Sequence, residues 1–194
     1  MITNNKNPKV FISYSWDNEI HKSWVKELAD KLTDNSIWVF FDGYDLSAGK
    51  DMTHFMETSV KESDKVLMIM TPNYKVKAEK RVGGVGYETS MVTAEIFNNQ
   101  QSDKFIPIVR LGARENCTPT FVQSKLGIDM SNGDDFNEKF EELLRTIYGE
   151  HKVKRPQLGK KPIFDTNVKS ENEVNKHIEQ EKAFNELFEK MKRW

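Results

Sequence analysis

Glu88 follows the glycine-rich segment Gly83-Gly84-Val85-Gly86-Tyr87 and stands at the start of a stretch with helical character. A carboxylate there can complement the helix macrodipole, which favours an anion in the first turn. It can also stand beside a ligand, because the glycines let such a ligand reach the backbone with no side chain between. On the residues alone both readings stay open. Glu95, two turns later on nearly the same face, is the competing carboxylate, although its mid-helix position suits an ion pair or solvent.

Other chemistries find less support. Gly49-Lys50-Asp51 suggests a phosphate loop, but Gly43 is one residue out of register for a GxxxxGK[ST] pattern and Asp51 replaces the hydroxyl. GGVGYE is not a GxGxxG fingerprint, since Thr89 stands where the last glycine belongs. There is no GxSxG elbow. The histidines His21, His54, His151 and His177 fall on expected helix or tail surfaces without ligand spacing, so no metal site is expected. Cys117 is the single cysteine and has no partner for a disulfide or a Cys/His metal set.

The elements that must position these residues can be read from hydrophobic periodicity. Lys9 to Tyr14, Ile37 to Phe41, Lys65 to Met70, Phe105 to Arg110 and a weaker Leu126 to Met130 read as strands. Asp17 is placed as the N-cap of a helix with Ile20, Trp24, Val25, Leu28 and Leu32 on its buried face. Met52, Phe55, Met56, Ser59 and Val60 trace a second helix after Asp51. Thr71-Pro72 reads as the stop of the third strand, followed by a loop of about 14 residues to Gly86, long for its place. A helix over about 87–98 follows it, and a last one carries Phe136, Phe140, Leu143, Leu144 and Ile147 and ends near Gly149.

Alternation of nearly all-apolar strands with amphipathic helices predicts an α/β fold, an open parallel sheet covered on both faces. With five strands in the order 2-1-3-4-5, the ligand crevice lies outside the carboxyl ends of the first and third strands. Ser13, Tyr14, Ser15 and Trp16, then Asp42 to Asp45, then Met70 to Tyr74, and the GGVGYE segment are delivered to that rim.

The composition bounds the partners. Lys+Arg 29 against Asp+Glu 30 leaves no bias of sign, so nucleic acid is not expected. No run approaches the roughly 18 apolar residues of a membrane span, and the start is polar, which predicts a soluble cytoplasmic protein with no membrane contact. Residues 8–149 are expected to form the domain, 150–169 a basic linker containing KVKRPQLGKKP, and 170–194 an amphipathic helix. Val174, Ile178, Phe184, Leu187, Phe188, Met191 and Trp194 give that helix an apolar face in need of cover, whether from its own domain, a second copy or a further domain.

KVFISYSWD, FDGYDLSAGKDM, VLMIMTPNY and GGVGYETSMVTAE followed by FIPIVR resemble, in this order and spacing, bacterial Toll/interleukin-1 receptor (TIR) domains over about residues 8–149. The resemblance implies a flavodoxin-like sheet and a mobile connector after the second strand, the BB loop, here Gly43, Tyr44, Asp45, Leu46, Ser47, Gly49 and Lys50 to Asp51. It also implies head-to-tail assembly with other TIR domains through that loop. In enzymatic members a glutamate at the start of the helix before the fourth strand is catalytic, and Glu88 best matches it. Phe11, Ser13 and Asp42 match positions lining the family's nucleotide pocket. Many members carry tryptophan one turn before the glutamate; here that position is Gly84, leaving Tyr87 and Trp16 as aromatics for ring stacking.

What the resemblance implies for function is cleavage of the nicotinamide-ribose bond of NAD+, which is a substrate, with no cofactor. Glycosidases need two carboxylates because the leaving oxygen must be protonated. Nicotinamide is already cationic in NAD+ and leaves neutral, so one ionised carboxylate beside the ribose suffices to stabilise the developing oxocarbenium ion. Capture by water gives ADP-ribose; capture within the ligand gives a cyclic isomer. The family context is bacterial anti-phage defence, with a downstream effector or fused domain as a further partner. The alternative from another class is a non-catalytic TIR scaffold.

Overall fold

The computed structural model describes residues 7–82, 102–164 and 167–192. The chain divides into two units, Met1–Val153 and Lys154–Trp194. In the first, β1 (Lys9–Ser13), β2 (Trp38–Phe40), β3 (Lys65–Met70), β4 (Phe105–Val109) and β5 (Ile128–Asp129) form one sheet in the order β2-β1-β3-β4-β5. Every pairing is parallel, with Phe11 opposite Phe40 on one side and Val66 on the other. This is the flavodoxin-like order expected.

The strands are continuous apolar runs because both faces of the sheet are covered. Side chains alternate across the pleat. Leu67 and Ile69 of β3 join Val10, Ile12, Ile106 and Ile108 under α1 (Glu19–Asp34) and the helix Phe136–Tyr148. Val66, Met68 and Met70 join Phe11, Phe105 and Val109 on the other face, with Val60, Tyr74 and Ala78. The central strands are buried apart from Lys9 and Lys65 at the starts of β1 and β3; Leu67 and Met68 are 0% exposed.

Three local expectations are corrected. The N-cap of α1 is Asn18, whose side chain accepts from the His21 amide, not Asp17. The buried stripe is therefore His21, Val25, Leu28 and Leu32, and Ile20, one residue off that stripe and so rotated about 100° around the helix, is 78% exposed. His21 accordingly lies in the interior, not on the surface.

Thr71-Pro72 starts a helix and does not open a loop. The Thr71 hydroxyl accepts from the Tyr74 amide at 3.0 Å, as an N-cap does, and Pro72 takes the first helical position, where a missing N–H costs nothing. Between α1 and this helix lie α2, the single turn Asp42–Asp45, and α3 (Met52–Glu62), which starts after Asp51 as expected and is capped by that side chain. The helix after Thr71 is α4 (Pro72–Val82), and α5 (Arg114–Cys117) and α6 (Phe136–Tyr148) follow among the described residues of the first unit.

The edge strands are shorter than read. Ile37 and Phe41 are buried but lie outside β2, and Leu126 is 94% exposed ahead of β5. Gly149, at φ 70°, closes α6 in the left-handed conformation that glycine adopts without strain. In the second unit, α7 spans Asn167–Met191 and starts earlier than Ser170; Ile178, Phe184, Leu187, Phe188 and Met191 are exposed on it. Among the described residues no helix is long and apolar enough to cross a membrane.

Candidate functional site

The sheet order reverses between β1 and β3, and a cavity of about 290 Å³ opens beside their carboxyl ends. Its apolar part comes from Phe11 of β1, Met52, Phe55 and Met56 of α3, and Ala78 of α4. Phe11 meets Phe55 edge to face with ring centroids 6.1 Å apart. The α3 residues converge because 52, 55 and 56 share one face of a helix. Ser13, Tyr14, Trp16, Asp42, Tyr74 and Lys77 supply the polar groups.

Those polar groups form two hydrogen-bonded sets. The Ser13 hydroxyl lies 3.1 Å from the Tyr74 hydroxyl in a buried contact. Asp42, the first residue of α2, accepts from the Tyr14 hydroxyl at 2.9 Å and from the Trp16 indole Nε1 at 2.9 Å. Burial and the Asp42 charge together push the Tyr14 hydroxyl well above its ordinary pKa, so it stays a donor at all ordinary pH. Replacing Asp42 by alanine leaves both donors without their acceptor, at a cost of about 1–2 kcal/mol. The Trp16 indole N–H resonance should move in a ¹⁵N-correlated spectrum while Trp24, in the opposite core, stays put; an unmoved Trp16 signal would disprove the contact.

The connector is hydrogen-bonded along its length. Asp45 accepts from the Phe41 amide at 3.1 Å, Tyr44 donates to Asp30, and Lys50 Nζ donates to the Asp45 carbonyl at 2.6 Å. Burial and the Asp30 carboxylate leave Tyr44 pushed up to about 12. Gly49, at φ 91°, makes a turn that few other residues adopt. Gly43, Leu46, Ser47, Gly49 and Lys50 line a second, more open cleft, which shares Tyr14, Trp16, Asp42 and Met52 with the cavity. Trp16, 55% exposed, carries Lys22 Nζ 5.2 Å from its ring centre.

On the other side of β1 the rim holds Asp17, His21 and Arg110. Asp17 accepts from Ser15 and, at 2.7 Å, from Asn73. Burial raises its carboxyl, but hydrogen bonds from Ser15, Thr71 and Asn73 outweigh that and hold it below the usual range. The Arg110 guanidinium covers the Trp24 ring at 4.7 Å. Burial, aided by the Arg110 charge and opposed by Asp17, pushes the His21 imidazole below its ordinary 6.5.

The unfolded chain takes up the His21 proton as pH falls through about 6.5, while the folded chain still resists it, so stability is full above that pH and declines below it. Asp17 contributes in a separate, more acidic window, below its unfolded value of 3.8. Urea midpoints at pH 7.5 and 5.5 should differ more for wild type than for His21→Gln. Equal differences in the two proteins would rule out His21 as the source.

The structure thus brings together Phe11, Ser13, Trp16 and Asp42 of the residues expected at the site, with the Gly43 to Lys50 connector beside them. Tyr87 and Glu88, and with them Glu95 and the glycines Gly83, Gly84 and Gly86, lie outside the described residues. Sequence reasoning missed Lys77, which it assigned to a loop, and placed Met52, Phe55 and Met56 on a helix face without a role at the site. Tyr74 was placed on the rim but given no role. The cue for Tyr74 and Lys77 was Thr71-Pro72 as a helix start. Among the described residues no cluster of His, Cys, Asp and Glu could hold a metal ion. Cys117 is buried, and burial pushes its thiol up, away from thiolate reactivity.

Comparisons with known proteins agree with this architecture. The solved structure of a prokaryotic SEFIR domain is 42% identical, with a TM-score of 0.64, over 79% of this chain and 100% of that one. The TIR domain of the Toll-related receptor TRR-2 from the lower metazoan Hydra magnipapillata shares the fold at 19% identity and a TM-score of 0.52, over 72% of this chain and 97% of that one. The TIR domains of the activated Roq1 resistosome, which recognises the pathogen effector XopQ, do so at 16% and 0.51, over 73% and 99%. No curated protein matches the chain. The family model for TIR domains matches residues 10–144, most of the first unit, and the chain belongs to the TIR domain family.

Proposed function

We propose that the chain is an NAD+ nucleosidase of the TIR family, in which Glu88 is the catalytic carboxylate and the cavity beside β1 and β3 seats one nucleoside half of the substrate. The family includes NAD-cleaving and scaffold members. The observation that carries the enzymatic reading is the cavity itself. A concave, largely apolar space with a few convergent polar groups at a topological switch point is what a small-molecule site requires. Phe11, Ser13 and Asp42, which the family resemblance assigns to the nucleotide pocket, all line it, together with Trp16 as an aromatic for ring stacking.

In this reading the apolar wall of Phe11, Phe55, Met52 and Met56 holds a flat ring and excludes water. The C–N bond breaks with its electron pair going to the pyridinium ring, which leaves as neutral nicotinamide. The ionised carboxylate of Glu88 stabilises the oxocarbenium ion until water or another part of the ligand captures it. Assembly through the Gly43 to Lys50 connector with other TIR domains, and a role in anti-phage defence, belong to the same proposal.

The decisive measurement incubates the purified full chain, at concentrations high enough for assembly, with NAD+ and separates nicotinamide, ADP-ribose and cyclic products by chromatography. Nicotinamide release at a rate proportional to protein supports the enzyme. Absence of release from demonstrably assembled protein hands the function to the scaffold reading.

A further inference from the structure

We infer that Lys77 anchors the diphosphate of a dinucleotide whose one nucleoside half fills the cavity, so that the site selects phosphorylated ligands over free nucleosides. This rests on the NAD+ reading of the same cavity and deepens it.

Size comes first. A volume of about 290 Å³ stands at the lower end of the roughly 300–1,000 Å³ typical of small-molecule sites. It has room for a base and its ribose but not for a dinucleotide. The diphosphate must therefore lie at the mouth, and a doubly charged group leaving an apolar pocket needs a cation there.

Charge then narrows the choice. Among the described residues, Asp42 and Lys77 are the ionised side chains that line the cavity. Asp42 is occupied by Tyr14 and Trp16 and repels phosphate. Lys77 is exposed, and no ion pair or hydrogen bond holds its ammonium group among the described residues. Lys22 and Lys50, in the adjoining cleft, are both engaged. Lys22 lies 2.9 Å from Glu19 and over Trp16, and Lys50 donates to the Asp45 carbonyl.

The fold explains the placement. Tyr74, Lys77 and Ala78 share one face of α4, with Tyr74 and Ala78 buried and Lys77 at the margin. The aliphatic stem of Lys77 can then extend the apolar wall while its head stays in solvent at the mouth.

Binding to the full chain is measured by calorimetry with a carbocyclic, non-cleavable analogue of NAD+ and with nicotinamide riboside, each at two salt concentrations. Lys77→Ala should weaken the dinucleotide about tenfold, leave the riboside within twofold and flatten the salt dependence of dinucleotide binding. Lys77→Arg should retain most of the affinity, and Lys139→Ala, on α6 and outside the lining of both clefts, should match wild type. Thermal melts establish that each variant is folded.

If Lys77→Ala binds the dinucleotide as well as wild type with the same salt dependence, or loses both ligands equally, the inference is overturned while the cavity remains a nucleotide site. If Lys50→Ala carries the loss instead, the diphosphate leaves through the other cleft and the assignment is equally wrong. If wild type binds neither ligand, the NAD+ reading falls first and takes Lys77 with it.

Discussion

Glu88→Gln should lower the rate of nicotinamide release by about 100-fold or more while the protein remains folded. The substitution keeps the size and hydrogen-bonding reach of the side chain and removes only its charge. Charge is what the reaction demands, because the ribosyl ring becomes cationic as neutral nicotinamide departs. A preorganised group aimed at developing charge is worth about 10²–10³ in rate when lost. The loss should fall on kcat, with KM changed little, since the carboxylate acts more strongly on the transition state than on bound substrate. Glu95→Gln is the control and should retain activity. Full activity in Glu88→Gln with loss in Glu95→Gln would move the site from Glu88 to Glu95; retention in both would remove the single-carboxylate mechanism.

The second large effect concerns stability. Leu67 sits in the middle of β3, between Ile12 of β1 and Ile106 of β4, with no solvent exposure. Leu67→Ala removes buried apolar volume where two flanking strands prevent collapse, and should cost about 3 kcal/mol. For a chain of this size that lowers the melting temperature by about 6–12 °C. Leu126, 94% exposed, provides the comparison: Leu126→Ala should stay within about 0.5 kcal/mol of wild type. A Leu67→Ala protein melting with wild type would mean that β3 is not the centre of the sheet. Because the same strand delivers Thr71 and Tyr74 to the rim, the variant should also bind the dinucleotide analogue less tightly.

Both predictions start from features visible before any coordinates. KVLMIM could only be a strand covered on both faces, and it is β3 residue for residue. The order of strands and helices, with the rule that ligands gather where strand order reverses, was enough to nominate Ser13, Trp16 and Asp42 for one rim. A helix beginning after Asp51 and one ending near Gly149 were equally legible, because helix ends are marked by neighbours within a turn.

What escaped the sequence shares a cause. Thr71-Pro72 has one local meaning as a strand stop and another as a helix start, and only the docking of Tyr74 and Ala78 against the sheet selects the second. Ile20 and His21 compete for one buried position, and the orientation of α1 on the sheet, not hydrophobicity, decides for His21. Met52, Phe55 and Met56 are spaced as a core face and do pack as one, yet the gap left between α3 and α4 turns that face into a cavity wall. The sequence by itself determined the central strands and the helix boundaries at Asp51 and Gly149, since these follow from periodicity and short-range hydrogen bonding, and its ordered motifs carried the family resemblance. Tertiary structure alone decided which side chains border empty space and that Lys77 stands at its mouth, because a cavity belongs to the fit between elements and to none of them singly.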